Sequence, residues 1–387
     1  MRGVFRRFPI LVVLAIILVP TALLIATTAA DRLGYCVNEI LPGEAGLNTG
    51  AYVQNVSSSG ATVIWRTSRG REATMDLTDP AGSTTHFELE SAPIQTVELT
   101  GLQPDTTYAW EVVSGTETHT GSFTTAPGED GAVRFAAIGD SGTGSHAQYD
   151  IAAQLVASEP DFVVHTGDVV YRRGALCHYG PRYFAPYVDL IPTTPVFPVL
   201  GNHDLMAHDG RAWFETFVLP ANNPSETEAY YSFDYGPVHV VALNTEVYYG
   251  GSDDEIAAQK RWLEEDLSSS NQAWTVVVLH KSPYSSTSGK ESEAVREDLT
   301  PVFSAYSVDL VLAGHAHNYE RVQPIDGVTY IVTGGGGADL YDIEAGPQTA
   351  VAEKRHHLVL IEATPERLVL TAIDRDGESF DSLELTR

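Results

Sequence analysis

The sequence predicts an all-β domain followed by an α/β domain. Two observations carry this. Residues 45–127 hold short runs of alternating or continuous apolar residues, separated by turn clusters. From Val133 onward, strand-length apolar runs alternate with segments of helical periodicity. Between them, Ala126-Pro-Gly-Glu-Asp-Gly131 is rich in chain breakers and reads as a linker. The length, 387 residues, allows two or three domains, and 43% hydrophobic residues is ordinary for a globular protein with a sizeable core.

Residues 1–8 carry Arg2, Arg6 and Arg7, and Pro9 to Ala30 is uncharged and mostly apolar. This pattern over residues 1–30 reads as an export signal or a signal anchor. The run is long enough to span a bilayer, so anchoring through residues 9–30 stays open. Thr28-Ala-Ala30 offers a cleavage site, and Arg6-Arg7 is a weak twin-arginine match. Either way an extracytoplasmic location is expected: secreted, periplasmic or membrane-anchored facing outward. There Cys36 and Cys177 can form a disulfide or remain two thiols.

In the first domain, Tyr52-Val-Gln-Asn-Val56 and Ala61-Thr-Val-Ile-Trp-Arg66 read as strands about the turn Ser57-Ser-Ser-Gly60. Thr96-Val-Glu-Leu99 is followed by Gly101 to Val112, which carries Leu102, Pro104 and Tyr108. These residues resemble the corner of a fibronectin type III domain, where a tyrosine hydroxyl bonds back to nearby backbone. The resemblance implies a β-sandwich, with Trp65 in its core. His86 and His119 read as surface residues, and the domain as a scaffold or lid against the second.

Net charge is −28 with four lysines. Such a surface argues against nucleic acid or anionic membrane as a partner, because phosphate backbones would be repelled.

Five apolar segments of the second domain end in ligand-capable groups. Val133 to Ile138 ends in Gly139-Asp140. Asp161 to Val164 leads through His165-Thr-Gly to Asp168, with Tyr171 three residues on. Val196 to Leu200 ends in Gly201-Asn202-His203-Asp204. Trp274 to Leu279 ends at His280, and Asp309 to Ala313 in Gly314-His315-Ala-His317. In open α/β sheets, sites form outside the carboxyl ends of strands. Asp140, Asp168, Tyr171, Asn202, His280, His315 and His317 would then share one rim. The set is mixed oxygen and nitrogen without thiolate, which suits hard-to-borderline cations. Seven side chains exceed one ion's needs, and two ions are the arrangement used for in-line phosphoester hydrolysis. In the Gly201 turn, Asp204 can orient the His203 imidazole, or simply cap a helix.

These motifs, with Asn318-Tyr-Glu-Arg321 after them, resemble the metallophosphoesterase superfamily and, within it, the purple acid phosphatases. They stand in the family's order across residues 133–375, with C-terminal strands closing the domain to 387. Gly142 stands where many superfamily members have a histidine, and Tyr171 supplies a phenolate instead. The resemblance implies a four-layer αββα sandwich. It implies one ion, Fe(III), at Asp140, Asp168, Tyr171 and His317. The other, Zn, Fe or Mn, would lie at Asp168, Asn202, His280 and His315. Phosphate monoesters would be hydrolysed by in-line attack of a metal-bound hydroxide, with His203 and Asp204 as catalytic residues. The same site could serve a phosphodiesterase or nucleotidase, and the fold could persist in a non-catalytic cell-surface binding protein. His165 reads as a core histidine, and His178, His208, His239, His356 and His357 lack strand-end partners. Gly334 to Gly337 reads as a tight backbone turn near the rim, not a nucleotide loop. Lys281 could hold phosphate. The resemblance also implies an outer histidine in the loop after His280, and residues 281–286 contain none.

Overall fold

The structure, a computed structural model, describes residues 49–387, apart from the side chains of Ser68 and Arg69. The export segment and Cys36, the candidate partner of Cys177, lie outside the described residues. Among the described residues no helix is long and apolar enough to cross a membrane.

The first β region has five strands: β1 (Tyr52–Gln54), β2 (Gly60–Thr78), β3 (Thr84–Thr100), β4 (Thr107–Ser114) and β5 (Glu117–Thr124). They form one antiparallel hydrogen-bonded sheet. The sequence reading ended a strand at Arg66, but β2 continues to Thr78, with register shifts between Arg66 and Ala73. The polar run of residues 67–72 hid that continuation, because it carries no apolar alternation and the register shifts there. Along β4 burial alternates, with Tyr108, Trp110, Val112 and Ser114 turned inward. The Tyr108 hydroxyl accepts the Gln103 amide at 3.0 Å.

This region shares a core with the rest of the molecule. Tyr52 donates its hydroxyl to the Thr216 carbonyl at 2.7 Å, and its ring lies 5.3 Å from Phe184. Arg66 meets Glu215 at 2.5 Å. The breaker-rich linker is thus a corner between packed units.

The chain continues through β6 (Val133–Ile138), β7 (Phe162–His165) and β8 (Val196–Pro198). Then come β9 (Tyr231–Tyr235), β10 (Val238–Ala242), β11 (Trp274–Lys281), β12 (Leu310–Gly314), β13 (Tyr319–Val322), β14 (Thr329–Thr333) and β15 (Thr349–Glu353). β16 (His357–Thr364), β17 (Arg367–Asp374) and β18 (Ser379–Thr386) close it. Two sheets result: β18-β17-β16-β6-β7-β8, and β15-β13-β14-β12-β11-β10-β9. β6, β7 and β8 are parallel, as are β10, β11, β12 and β14. Strands such as β7, β10, β12 and β14 are buried at every residue, which is why their sequences run apolar rather than alternating. Aromatic rings from the two sheets meet directly: Phe197 of β8 stacks on Phe233 of β9 at 4.0 Å.

Three longer helices connect strands: α1 (His146–Ser158), α2 (Asp253–Ser269) and α3 (Glu293–Ala305). Ser145 caps α1 through the Gln148 amide, and Ser252 with Glu255 forms a capping box at α2. α3 carries Pro301 inside it, which masks the helix in the sequence.

His239 ties the β9–β10 hairpin to α2. Its Nδ1 lies 2.7 Å from Asp234 and its Nε2 2.9 Å from Asp266. Burial disfavours the charged ring, but hydrogen bonds to both carboxylates outweigh it and raise its pKa to about 9. A folded-state pKa raised above the ordinary 6.5 stabilises the fold below that pH, and the contribution is lost as pH rises through about 9. Asp234 is about half exposed, so the effect is on the order of 2 kcal/mol. Urea unfolding at pH 6 and pH 9 should show wild type losing about that much more stability than His239→Gln. Parallel pH dependences would reject the assignment.

Candidate metal centre

The carboxyl ends of β6, β7 and β8 face those of β11 and β12, so the rim is built by two sheets, not one. Asp140 follows β6, Asp168 and Tyr171 follow β7, and Asn202 follows β8. His280 lies near the end of β11, and His315 and His317 follow β12. Asp140, Asp168 and His315 all have left-handed backbone, φ 55°, 53° and 68°, at non-glycine positions. Such conformations cost energy and persist where surrounding structure enforces them. The glycines let these turns approach one another. A Cβ on Gly201 would lie 2.2 Å from the Asp168 amide, and one on Gly142 would lie 1.8 Å from the Val169 carbonyl. Position 142 therefore has no room for a ligand side chain in this backbone.

The Tyr171 hydroxyl lies 2.9 Å from Asp140 Oδ1, 3.1 Å from Asp168 Oδ2 and 2.9 Å from His317 Nε2. A phenol has one hydrogen and cannot donate to two ionised carboxylates together. His317 Nδ1 lies 2.8 Å from the Asp339 carbonyl, a contact that puts its hydrogen there and turns the Nε2 lone pair inward. His280 is arranged alike. Its Nδ1 contacts the Thr166 carbonyl at 2.8 Å, while Nε2 faces Asn202 Oδ1 at 3.2 Å and Asp168 Oδ2 at 3.5 Å. Asp168, His280 and His315 present donor atoms within 4.8 Å of one another. Asp168 Oδ2 thus faces both groups. Lone pairs converge on two points, and a cation at each removes the repulsion, so the residues present fit two metal ions.

A proton on His317 can stand in for a cation: burial opposes the charged ring, but the hydrogen bond and charge of Asp140 raise its pKa. Burial opposes charge on Asp140, but the hydrogen bond and charge of His317 hold its carboxyl well below the usual range. Burial pushes the Tyr171 phenol far up, and Asp140 and Asp168 add to this. Only a cation at that oxygen would ionise it. Burial, with His280, Lys281 and Lys290 nearby, lowers the pKa of the His315 ring.

His203 is partly exposed and lies over the Tyr171 ring at 4.6 Å between centroids. Its Nδ1 contacts the Arg172 carbonyl, and its Nε2 is 3.9 Å from Asp168 Oδ2. Asp204 does not orient this imidazole, contrary to the sequence reading. It is fully buried, and its carboxylate accepts the amides of Gly201, Val169 and Val170 at 3.0–3.3 Å. It staples the Gly167 turn to the Gly201 turn. Burial and Asp168 push its pKa up to about 7, against those amide donors.

Residues the sequence reading missed surround the rim. Tyr341 stacks on His317 at 4.1 Å, and the half-buried Lys290 lies 4.6 Å over the Tyr341 ring. Glu246 is buried 3.6 Å from Lys281. The family-like run after His317 shapes the loop opposite. Asn318 holds Thr287 at 2.6 Å, and Glu320 accepts the Ser286 amide at 2.7 Å. In the glycine run, a Cβ on Gly334 would lie 2.2 Å from the Ala316 carbonyl, so close packing behind Asp140 requires it. His165 is a buried core residue bonded to Ser141 at 2.8 Å.

Asp204→Ala would leave buried amides without an acceptor, a cost on the order of 3 kcal/mol. Calorimetry should show a lowered melting temperature and metal analysis a loss of bound ions, with Asp204→Asn milder. A stable Asp204→Ala protein that keeps its ions would mean the staple is dispensable.

Residues 133–319 match the family described as calcineurin-like phosphoesterase. Purple acid phosphatase 23 of Arabidopsis thaliana is 30% identical over 293 residues, 64% of this chain and 63% of that protein. Acid phosphatase type 7 of Homo sapiens is 26% identical over 274 residues, 59% of this chain and 61% of that protein. The chain thus spans under two thirds of the length of either relative. A solved purple acid phosphatase from yellow lupin (Lupinus luteus) shares the fold, with TM-score 0.77 at 20% identity, over 88% of this chain and 75% of that one. That family implies a dinuclear metal centre, in keeping with the two points of ligand convergence. The chain carries a calcineurin-like metallophosphoesterase domain homologous to the purple acid phosphatases.

Proposed function

We propose that this chain is an exported, binuclear metal-dependent phosphohydrolase acting on phosphate monoesters. The observation that carries this reading is the meeting of Asp140, Asp168 and His317 at the Tyr171 oxygen, beside His280, His315 and Asn202. In this reading residues 45–127 are a fibronectin type III-like sandwich, and residues 133–375 a four-layer αββα catalytic domain. The Tyr108 corner and the two packed sheets support it. Export rests on the basic and apolar pattern of residues 2–30. The substrate is a small phosphoester and not a nucleic acid, given the net charge of −28.

Asp140, Asp168, Tyr171 and His317 would hold one ion, ferric because a phenolate favours Fe(III). Asp168, Asn202, His280 and His315 would hold Zn, Fe or Mn. Such ions supply an acidified water and charge neutralisation at phosphoryl oxygens. The chain's own contribution is positional and protonic. Asp168 Oδ2 keeps the two ligand groups in contact. His203, anchored through Nδ1 at the Arg172 carbonyl, has Nε2 free to deliver a proton to the leaving alkoxide. Asp204 supports that turn from behind.

Metal-loaded protein should hydrolyse p-nitrophenyl phosphate faster than its bis ester; the reverse order would identify a diesterase. His203→Ala should keep both ions and lose about 10²–10⁴ in kcat/KM on glycerol phosphate, with a smaller loss on p-nitrophenyl phosphate. Equal losses on the two substrates would sink the acid role. Visible absorption that disappears in Tyr171→Phe would mark the ferric phenolate. A colourless, fully loaded, active wild type would reject iron at that position.

A further inference from the structure

The chain has four lysines against a net charge of −28. Lys260 is bound to Asp298 at 2.5 Å and Lys354 to Asp342 at 2.7 Å, both away from the rim. The other two, Lys281 and Lys290, stand near the metal centre, and the charge of each is felt at His315. Lys281 follows the ligand His280 and is buried. Its ammonium lies 3.3 Å from Asn202 Oδ1, 4.6 Å over the Tyr249 ring and 3.6 Å from Glu246. Lys290 comes from the loop before α3, 4.6 Å over the Tyr341 ring, which is stacked on the ligand His317. Among the described residues its ammonium has neither a hydrogen bond nor an ion pair. A half-buried ammonium held over an aromatic face, in an acidic molecule, has forgone carboxylate partners that are plentiful elsewhere. Glu320 and Asn318 fix the near part of that loop through Ser286 and Thr287, so Lys290 is carried on an anchored segment.

We propose that Lys281 and Lys290 form a two-ammonium clamp for the oxygens of a terminal phosphoryl dianion. This rests on the phosphohydrolase reading and names the residues that set its substrate class. Each ammonium is beside one of the two ligand groups: Lys281 beside Asn202 and His280, Lys290 beside the His317–Tyr341 stack. Lys290 interacts electrostatically with Asp140, Lys281 and Asp168, so a phosphate at the ligand groups lies in the field of both ammoniums. A monoester or inorganic phosphate offers two negative charges and three terminal oxygens. A diester offers one charge and two free oxygens, so the clamp favours the former. Glu246 positions Lys281 and offsets part of its charge, which leaves Lys290 the stronger arm. The clamp answers the missing outer histidine: two ammoniums take its place.

The test uses metal-loaded full chain, with Lys290→Gln, Lys281→Gln and the double variant, each checked for two bound ions. Calorimetry with inorganic phosphate should show the dissociation constant rising about 10- to 100-fold for Lys290→Gln, the loss of one charge-assisted hydrogen bond, and less for Lys281→Gln. The preference for p-nitrophenyl phosphate over its bis ester in kcat/KM should fall in parallel. Unchanged phosphate affinity in Lys290→Gln with both ions present would overturn the clamp. Wild type that binds phosphate through these lysines but cleaves no phosphoester would leave the clamp standing and remove the hydrolase reading. Wild type that cleaves monoesters, with variants equal to it in affinity and preference, would do the opposite.

Discussion

The constraint on which the structure depends is the concentration of lone pairs at Tyr171. Two buried carboxylates and an imidazole lie about one hydrogen-bond length from one phenol oxygen. One phenol hydrogen cannot serve two ionised carboxylates, so the cluster is short of donors. The surrounding chain is nonetheless built to hold them there. Three left-handed residues, several glycines that cannot bear a Cβ, and the Asp204 staple each add local cost. Ion binding would offset that cost and couple folding to metal binding, because the site does not exist in the unfolded chain. The all-β region contributes at a distance. It packs through Tyr52 and Arg66 against the segment containing Glu215 and Thr216, downstream of the His203 turn.

Much of this was legible in the sequence because strand ends carry their own marks. An apolar run that stops in glycine and a ligand-type side chain is uncommon, and this chain has five. β6, β7, β8, β11 and β12 lie where the apolar runs put them. The runs themselves could not assign the five strand ends to two sheets, since strand order is a matter of long-range pairing; only the resemblance implied a two-sheet sandwich. α3 was hidden by Pro301, and the length of β2 by its polar middle.

Side-chain partnership was less legible than position. Asp204 beside His203 in sequence invited an Asp–His pair. In a tight turn, adjacent side chains diverge, and Asp204 instead faces the amides of Val169 and Gly201. The imidazole finds the Arg172 carbonyl instead. Lys290 and Tyr341 were invisible for another reason. They reach the rim from loops whose paths depend on Glu320, Asn318 and the stacking on His317. The scarcity of lysine was the one available signal: two of four fall within ten residues of a strand-end histidine.

That scarcity bears on how an acidic protein handles anionic substrates. Long-range attraction is unavailable at a net charge of −28, and at physiological ionic strength charges farther off than about 8 Å are largely screened. Encounter must then proceed at an unassisted rate, and affinity must come from short-range contacts. Groups fixed before the substrate arrives do this best, because their ordering cost is met in folding. Lys281 is pinned by Asn202, Tyr249 and Glu246, and Lys290 by Tyr341. The acidic exterior and the cationic rim are therefore separate adaptations, since the first acts over distances at which the second is not felt.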